Sequence, residues 1–215
     1  DFLPDTGPRH PHPDYLQSAV DRIATARRIV VLAGRGAMIA QAKAPCIELA
    51  RLCNGALSTT LTARGLFAGD SRDIGACGSF AHPVTAEAFE ACDLVIAVGA
   101  NLNNYTSDSG KFFSAADVIH IDNNPTGFSR GRKTADQVLA ADALLGVTAL
   151  VEAIRARNTP SDRPDWGVED YARRVRNTPV DTTEYPVPEG TTDPRDVIRV
   201  LDGALPKHWA VVNAS

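Results

Sequence analysis

Apolar runs of four or five residues alternate along this chain with longer segments that have the periodicity of amphipathic helices. The clearest run, Ile29–Ala33, has no polar residue and is followed at once by Gly34, Arg35 and Gly36. A run that is apolar at every position predicts a strand covered on both faces, as in a parallel sheet. Such strands separated by helices predict βαβ units. The sequence therefore predicts an α/β fold with helices on both faces of a parallel sheet.

The same alternation predicts the individual elements. Strands are expected at residues 29–33, 56–61, 94–98, 118–121 and 136–141, and helices at 16–26, 37–53, 82–92, 111–116 and 142–157. Asn54 and Gly55 predict a left-handed end to the second helix. The stretch 64–80 is rich in glycine and carries no predicted element.

The composition changes after residue 157. Residues 158–192 are rich in Pro, Asp, Arg and Thr around one predicted helix at 166–176. A further helix is expected from Asp193 and a strand at 209–212. We therefore predict an α/β domain at 1–157, a linker with one helix at 158–192, and the truncated start of another domain at 193–215.

Bulk composition excludes several classes of partner. The formal net charge is −4, and phosphate binding by a nucleic-acid protein needs concentrated Lys and Arg. No apolar run approaches the roughly 18–20 residues that span a bilayer, and the polar, proline-rich start is unlike a signal peptide. We expect no nucleic-acid partner, no membrane partner and a cytoplasmic location. The four cysteines, Cys46, Cys53, Cys77 and Cys92, form no C-x-x-C pair and are expected to be buried structural thiols.

Residues that suit a nucleotide follow the predicted strands. Ligands of open parallel sheets bind beyond the carboxyl ends of the strands. Those ends carry Gly34, Gly36, Thr60, Gly99, Asn101, Asp122 and Asp142. The fingerprint of NAD-dependent dehydrogenases is not met, because Ile39 stands at the third glycine position and no acidic residue ends the second strand. Tight turns without a ligand are the alternative interpretation of these glycines.

No group of residues predicts catalysis by this chain. A nucleophile elbow, a phosphate-binding P-loop and an H-E-x-x-H zinc motif are absent from the sequence. His82 precedes Pro83 at a predicted helix start and is expected to cap the helix or lie in a loop. His120 lies within a predicted strand and is expected to be a satisfied core histidine. We therefore assign no catalytic and no metal-binding residue.

The order of several motifs is more specific than any one of them. It runs through IVVLAGRG (29–36), LSTTL (57–61), RGLF (64–67), IGACGS (74–79), CDLVIAVGAN (92–101), VIHIDNNP (118–125) and AADA (140–143). This series resembles the central domain of thiamine-diphosphate-dependent enzymes of the acetolactate synthase and 2-oxo acid decarboxylase superfamily. The resemblance covers roughly residues 10–157. Residues 193–215 resemble the opening of the C-terminal domain of that family.

The resemblance implies a sirtuin-like, DHS-like Rossmann-type domain with a parallel sheet of about six strands. It also implies a three-domain parent that decarboxylates or carboligates a 2-oxo acid as a homodimer or homotetramer. In such a parent the N-terminal domain supplies an activating Glu. The C-terminal domain supplies a G-D-G…N-N motif for Mg²⁺ and thiamine diphosphate. No G-D-G occurs in this chain, so these partner domains would hold both cofactors.

The resemblance also implies site residues, which are carried over position by position. They are Gly34 and Gly36 after the first strand, Thr60 and Leu61 after the second, Gly78 and Ser79 in a turn, Gly99 and Asn101 after the third predicted strand, Asp122 after the fourth, and Asp142 and Ala143 near an adenine. Flavin-binding acetolactate synthases carry G-x-R-F-D-D-R where this chain has Gly99-Ala-Asn-Leu-Asn-Asn-Tyr105. Asn cannot bridge phosphates as Arg does, so the departure weakens the expectation of FAD.

Three roles for the domain stay open at this point: FAD binding, binding of ADP or coenzyme A, and a purely structural role. A stand-alone nucleotide-binding module of sirtuin-like fold is the alternative to a piece of a thiamine-diphosphate enzyme. Such a module predicts an acid–base histidine on a loop facing the ligand and often a zinc module. His82 is poorly placed for the first, and the unpaired cysteines do not predict the second.

Overall fold

A computed structural model of the chain describes residues 7–108, 110–125, 128–129, 132–157, 163–179, 181, 183–206 and 208. These residues fall into two compact units, one within 1–180 and one within 181–215. The elements of the first unit, in chain order, are α1 (Pro13–Thr25), β1 (Ile29–Ala33), α2 (Arg35–Ile39), α3 (Lys43–Leu52), β2 (Ala56–Thr59), a 3₁₀ turn (Leu61–Ala63), β3 (Asp73–Ala76), α4 (Pro83–Ala91), β4 (Leu94–Val98), α5 (Asn104–Ser107), β5 (Asp117–Asp122), β6 (Phe128–Ser129), β7 (Arg132–Lys133), β8 (Gln137–Ala140), α6 (Ala143–Ala156) and α7 (Val168–Asn177).

Six of these strands form one parallel sheet in the order β3-β2-β1-β4-β5-β8. The chain builds the sheet outward from β1 in one direction and then, from β4, in the other. The point of reversal therefore lies between β1 and β4, where Ala33 pairs with Val98 at the carboxyl ends. The predicted α/β class, parallel sheet and number of strands are confirmed. β6 and β7 form a separate antiparallel pair.

The two faces of the sheet are covered by different helices. One core contains Val31 and Ile96 with apolar residues of α1, α3 and α6, and a second core contains Val30 and Val95 with residues of α4 and α7. Every residue of β1 and β4 is buried. Because successive side chains of a strand point to opposite faces, strands with two covered faces must be apolar throughout. This explains the runs from which the fold class was predicted.

The predicted helix at 37–53 is wrong as a single element. It consists of α2 and α3, separated at Gln41, whose φ of 58° is left-handed and incompatible with a continuous helix. Asn54 also has a positive φ, of 49°, which confirms the predicted left-handed end of α3. The second predicted strand ends earlier than expected, at Thr59, because residues from Leu61 turn into the 3₁₀ element.

Two further predictions, those for residues 64–80 and 111–116, are corrected by the structure. The glycine-rich stretch contains β3, whose pairing with β2 shifts register beside Gly75. Residues 111–116 form successive turns and not the predicted helix. The local helix of this region is α5, which begins after Asn103 because the Asn103 side chain accepts hydrogen bonds from the amides of Tyr105 and Thr106.

Residues 163–177 run past the amino ends of β1 and β2 and then pack on the edge strand β3. Arg163 Nε donates to the carbonyl of Ala26 at 2.9 Å, and Trp166 Nε1 donates to the carbonyl of Asn54 at 3.0 Å. Beyond these contacts, α7 packs on β3 and α4. The helix predicted within the linker is therefore present as α7, and its Val168 and Ala172 belong to the second core on one face of the sheet.

The second unit contains α8 (Pro194–Ala204), which begins where the Asp193 side chain accepts from the amide of Arg195. The Arg195 guanidinium contacts Asp193 and Asp181 and lies 4.7 Å from the centre of the Tyr185 ring. The predicted strand at 209–212 lies outside the described residues. None of the helices in the described part of the chain has the length and apolarity needed to cross a membrane.

Candidate functional site

The carboxyl ends of the parallel strands bring most of the predicted site residues to one edge of the sheet. At its centre, the turns after β1 and β4 contact each other directly. The amide of Gly34 donates to the carbonyl of Val98 at 2.9 Å, and the amide of Gly36 donates to the carbonyl of Gly99 at 2.8 Å. Of the amides at the start of α2, where a phosphate could bind, those of Gly34 and Gly36 are therefore already paired within the protein.

Glycine is required at this contact because the two backbones are too close for a side chain. A Cβ on Gly34 would lie 2.2 Å from the carbonyl oxygen of Gly99. A Cβ on Gly99, whose φ is 53°, would lie 2.4 Å from the amide nitrogen of Ala37. Gly34, Gly36 and Gly99 were predicted from the sequence as cofactor-binding residues. The structure places each of them against the facing turn.

The turn after β2 is joined to the same region. The amide of Thr60 donates to the carbonyl of Ala33 at 2.9 Å, and its hydroxyl lies 3.1 Å from that of Thr62. Thr60 is buried, whereas the Leu61 side chain is 48% exposed. Thr60 thus links β2 to β1, and Leu61 presents an apolar surface beyond the strand end.

Gly78 and Ser79 follow β3 and contact the segment after β4. The amide of Ser79 donates to the carbonyl of Tyr105 at 2.9 Å, and a Cβ on Gly78, whose φ is 93°, would lie 2.1 Å from the same oxygen. The Ser79 hydroxyl lies 3.5 Å from Oδ1 of Asp108. The rings of Phe80 and Tyr105 are 67% and 72% exposed. This part of the edge therefore combines engaged backbone groups with exposed aromatic rings.

The Asn-rich segment after β4 does not supply groups equivalent to the missing arginines and acids. Asn101 is exposed, and the Asn103 side chain is used as the cap of α5, with its Oδ1 3.0 Å from the amides of Tyr105 and Thr106. Both residues are neutral. In this segment the Asn103 side chain is hydrogen-bonded to the protein's own backbone, and no side chain carries a positive charge that could hold a phosphate.

Asp142 and Ala143 lie beyond β8, at the far edge of the sheet from β3. Oδ1 of Asp142 accepts from the amides of Leu144 and Leu145 at 2.9 and 3.1 Å, which makes Asp142 the cap of α6. Ala143 is buried. The structure gives both residues a role at the start of the helix.

Asp122 and His120 meet at the end of β5. Oδ1 of Asp122 accepts from the amide of Asn124 at 2.9 Å, and its Oδ2 lies 3.8 Å from Nε2 of His120. Nε2 of His120 also lies 2.9 Å from the carbonyl oxygen of Ala100. Burial lowers the pKa of His120, while Asp122 and the hydrogen bond to Ala100 act in the opposite direction.

The prediction that His120 is a satisfied core histidine is only half right. The ring is buried, but Nδ1 has no hydrogen-bond partner among the described residues. The spacing of His120 and Asp122 was a sequence signal for their contact, because residues two positions apart on a strand lie on the same face of the sheet. His82 behaves as expected. It caps α4 by accepting from the amide of Val84 at 3.1 Å, and its Nε2 lies 2.9 Å from the carbonyl oxygen of Thr178.

The four cysteines are all buried. Burial raises the pKa of Cys46, Cys77 and Cys92 to about 12 and that of Cys53 to about 11, which confirms the prediction of buried structural thiols. Within the described residues, no cluster of three or more His, Cys, Asp or Glu side chains is placed to hold a metal ion.

Comparison with known proteins identifies a family and a set of relatives. The family model described as "Thiamine pyrophosphate enzyme, central domain" matches residues 16–150. An acetolactate synthase of Mycobacterium bovis is 30% identical over 195 residues, which are 89% of this chain and 31% of the relative. An acetolactate synthase large subunit of Parasynechococcus marenigrum is 28% identical over 203 residues, 93% of this chain and 32% of the relative. The chain thus spans about a third of the length of these curated relatives.

Proposed function

This chain belongs to the family of thiamine pyrophosphate enzyme central domains, and we propose that it serves as the non-catalytic, structural domain of an acetolactate-synthase-like parent. The parent would decarboxylate or carboligate a 2-oxo acid. The observation that carries the structural role is the hydrogen bond from the amide of Gly36 to the carbonyl of Gly99. This bond joins the turns after β1 and β4 at the carboxyl ends of the strands. A domain whose strand-end groups are paired internally is suited to hold other domains at fixed positions.

The groups that would bind a nucleotide support the same role. The amide of Gly36 is bonded to Gly99, Asp142 caps α6, Asp122 holds the amide of Asn124, and Asn103 caps α5. A ligand would have to compete with these bonds, because a carboxylate or an amide that is already paired gains little by exchanging one partner for another.

Nucleotide binding, with FAD or ADP as the ligand, is the second candidate function. Exposed apolar side chains follow four adjacent strands: Ile39 after β1, Leu61 after β2, Phe80 after β3 and Tyr105 after β4. Such side chains offer surface on which a flat isoalloxazine or adenine ring could stack. This observation favours a ring-stacked ligand and supplies no partner for its phosphates.

A titration separates the two candidates. FAD fluorescence is followed while the purified chain is added, and binding of ADP is followed by calorimetry. The structural role predicts no flavin quenching and no heat from ADP at micromolar protein. Saturable quenching that disappears in Tyr105→Ala, but not in Tyr15→Ala on the exposed part of α1, would favour the nucleotide site instead.

Thiamine diphosphate and Mg²⁺ are cofactors that we assign to other domains of the parent. The described residues of this chain hold no cluster that suits a metal ion, and the sequence contains no G-D-G. When bound by those domains, thiamine diphosphate would supply the chemistry at the 2-oxo carbon. This chain would contribute rigid spacing between the domains that carry that chemistry. We further propose a cytoplasmic homodimer or homotetramer with no nucleic-acid and no membrane partner.

Residues 193–215 are proposed to open the next domain of the parent. α8 begins at Pro194 and exposes Val197, Ile198 and Val200, an apolar face that further chain would cover. The alternative of a stand-alone nucleotide-binding module is tested by the coding sequence. We expect an activating Glu encoded upstream and a G-D-G…N-N motif downstream. A reading frame that held neither would contradict the proposed parent.

A further inference from the structure

His120 supports the turn after β4 through one hydrogen bond. The ring lies on the same side of β5 as Val118, facing the second core, and is 2% exposed. Its Nε2 lies 2.9 Å from the carbonyl oxygen of Ala100. Because a carbonyl can only accept, Nε2 carries the hydrogen, and Nδ1 of the neutral ring is then the atom without one.

Nδ1 is unusual because it is buried and unpaired. Its exposed area is negligible, and no hydrogen-bond donor reaches it among the described residues. Buried polar atoms almost always have a partner, so an unpaired one points to a role other than packing. A leucine would fill this position without leaving a polar atom unpaired, but it could not donate to Ala100.

The supported turn is connected to both neighbouring strands. The amide of Gly99 donates to the carbonyl of Ile121 at 2.8 Å, and the carbonyl of Gly99 accepts from the amide of Gly36 at 2.8 Å. The hydrogen bond from His120 to Ala100 therefore holds a turn to which the start of α2 is itself bonded. A change at His120 can reach the centre of the carboxyl edge through two hydrogen bonds.

We propose that His120 is a positioning residue whose neutral ring fixes the Gly99–Asn101 turn and whose second protonation, at Nδ1, releases it. The new N–H at Nδ1 would be a buried donor with no acceptor. The ring must then turn or move to reach water or the Asp122 carboxylate, and Ala100 loses its donor. The position of the Gly99–Asn101 turn, at the carboxyl ends of the strands, therefore depends on pH.

Burial of the ring lowers the pKa of His120 and so favours release on protonation, whereas Asp122 and the hydrogen bond to Ala100 act in the opposite direction. On the same strand, Oδ2 of Asp122 lies 3.8 Å from Nε2. Directly before β8, Oδ2 of Asp136 accepts from the amide of Val118. Lys111 is exposed on the segment that follows α5, and Glu87 of α4 is paired with Arg174 of α7. None of these groups is a hydrogen-bond partner of Nδ1.

The test uses amide and imidazole NMR signals of the whole 215-residue chain between pH 7.5 and 5. In the wild type, the amide signals of Gly36, Gly99 and Asn101 should shift together with the carbon signals of the His120 ring. His120→Gln places an amide nitrogen as many bonds from Cβ as Nε2, so it keeps a donor that does not titrate. In this variant the turn signals should lose their pH dependence.

His120→Leu removes the donor at every pH, and hydrogen exchange of the Gly36 amide should accelerate at least tenfold at pH 7.5. His82→Gln is the matched control, since it removes the other buried histidine and should leave the turn titration unchanged. Should the leucine variant not fold, the comparison of wild type with His120→Gln still decides. Turn signals that titrate equally in both, or that stay constant until the wild type unfolds, would overturn the proposal.

Discussion

The amide nitrogen of Gly36 lies 2.8 Å from the carbonyl oxygen of Gly99, so the turns after β1 and β4 are bonded to each other where the strand order reverses. In open α/β sheets this is the crevice in which ligands bind. Here the amides of Gly34 and Gly36 are bonded to the carbonyls of Val98 and Gly99. This pairing is the observation on which we base the proposal of a structural domain.

Alanine substitutions separate the cost of this contact from the cost of left-handed backbone. In Gly34→Ala, the new Cβ meets the carbonyl of Gly99 without any φ strain, and we expect a loss of about 2 kcal/mol in the free energy of unfolding. In Gly65→Ala, the φ of 89° is strained but no atom lies within 4 Å, and the expected loss is about 1 kcal/mol.

Gly99→Ala combines both effects and should be the least stable of the three variants. Urea unfolding followed by circular dichroism measures all of them. If Gly34→Ala were no less stable than Gly65→Ala, the turns would not be in the close contact described.

Asp142 is expected to act through the start of α6. Asp142→Ala should lower the free energy of unfolding by about 1 kcal/mol, whereas Asp142→Asn should stay close to wild type, because Asn and Asp are comparable helix caps. Thermal or urea unfolding of the two variants checks this. An asparagine variant as unstable as the alanine one would show that the negative charge matters for a reason other than capping.

The four cysteines should be unreactive in the folded chain. Their buried thiols have pKa values raised to about 11 or 12, so the reactive thiolate is scarce at pH 8. With a chromogenic disulfide reagent we expect no rapid reaction in buffer and four thiols per chain in guanidinium chloride. Fast modification of even one thiol in buffer would contradict the burial.

Stability should fall as the solution is acidified below about pH 6.5, the ordinary pKa of an unfolded histidine. Burial lowers the pKa of His120 in the folded chain, so the unfolded chain binds the proton first and gains free energy from it. The loss continues until the pH passes the folded pKa. Because other histidines also titrate, the informative quantity is the difference between wild type and His120→Gln.

That difference should be constant above pH 7 and should change in favour of His120→Gln toward pH 5. Urea unfolding at half-unit intervals of pH measures it. A difference that is independent of pH would mean that the pKa of His120 is not lowered by folding.

The sequence predicted those parts of the fold that follow from burial on two faces. β1 and β4 were found because each is apolar at every position, and His82 was expected to cap a helix or lie in a loop because it precedes Pro83. β3 was missed because it has one large apolar side chain, Ile74, beside Gly75. Its strand conformation depends on pairing with β2 and on the cover that α7 provides.

The residues of the candidate site were proposed from the sequence, but the contacts among them were not predicted. Gly34 and Gly99 are 65 positions apart, and no local pattern indicates that one glycine serves the other. The break in the second helix was missed for a related reason. Gln41 adopts a left-handed φ that its residue type does not favour, so the packing around it and not its own preference determines the turn.

The most direct test of the account compares the purified 215-residue chain with its full-length parent. Each is given thiamine diphosphate, Mg²⁺ and a 2-oxo acid such as pyruvate, and both cofactor binding and substrate consumption are measured. The account predicts that the parent binds thiamine diphosphate and consumes the 2-oxo acid, while the chain alone does neither. Binding of thiamine diphosphate by the chain alone, with turnover of the 2-oxo acid, would contradict it.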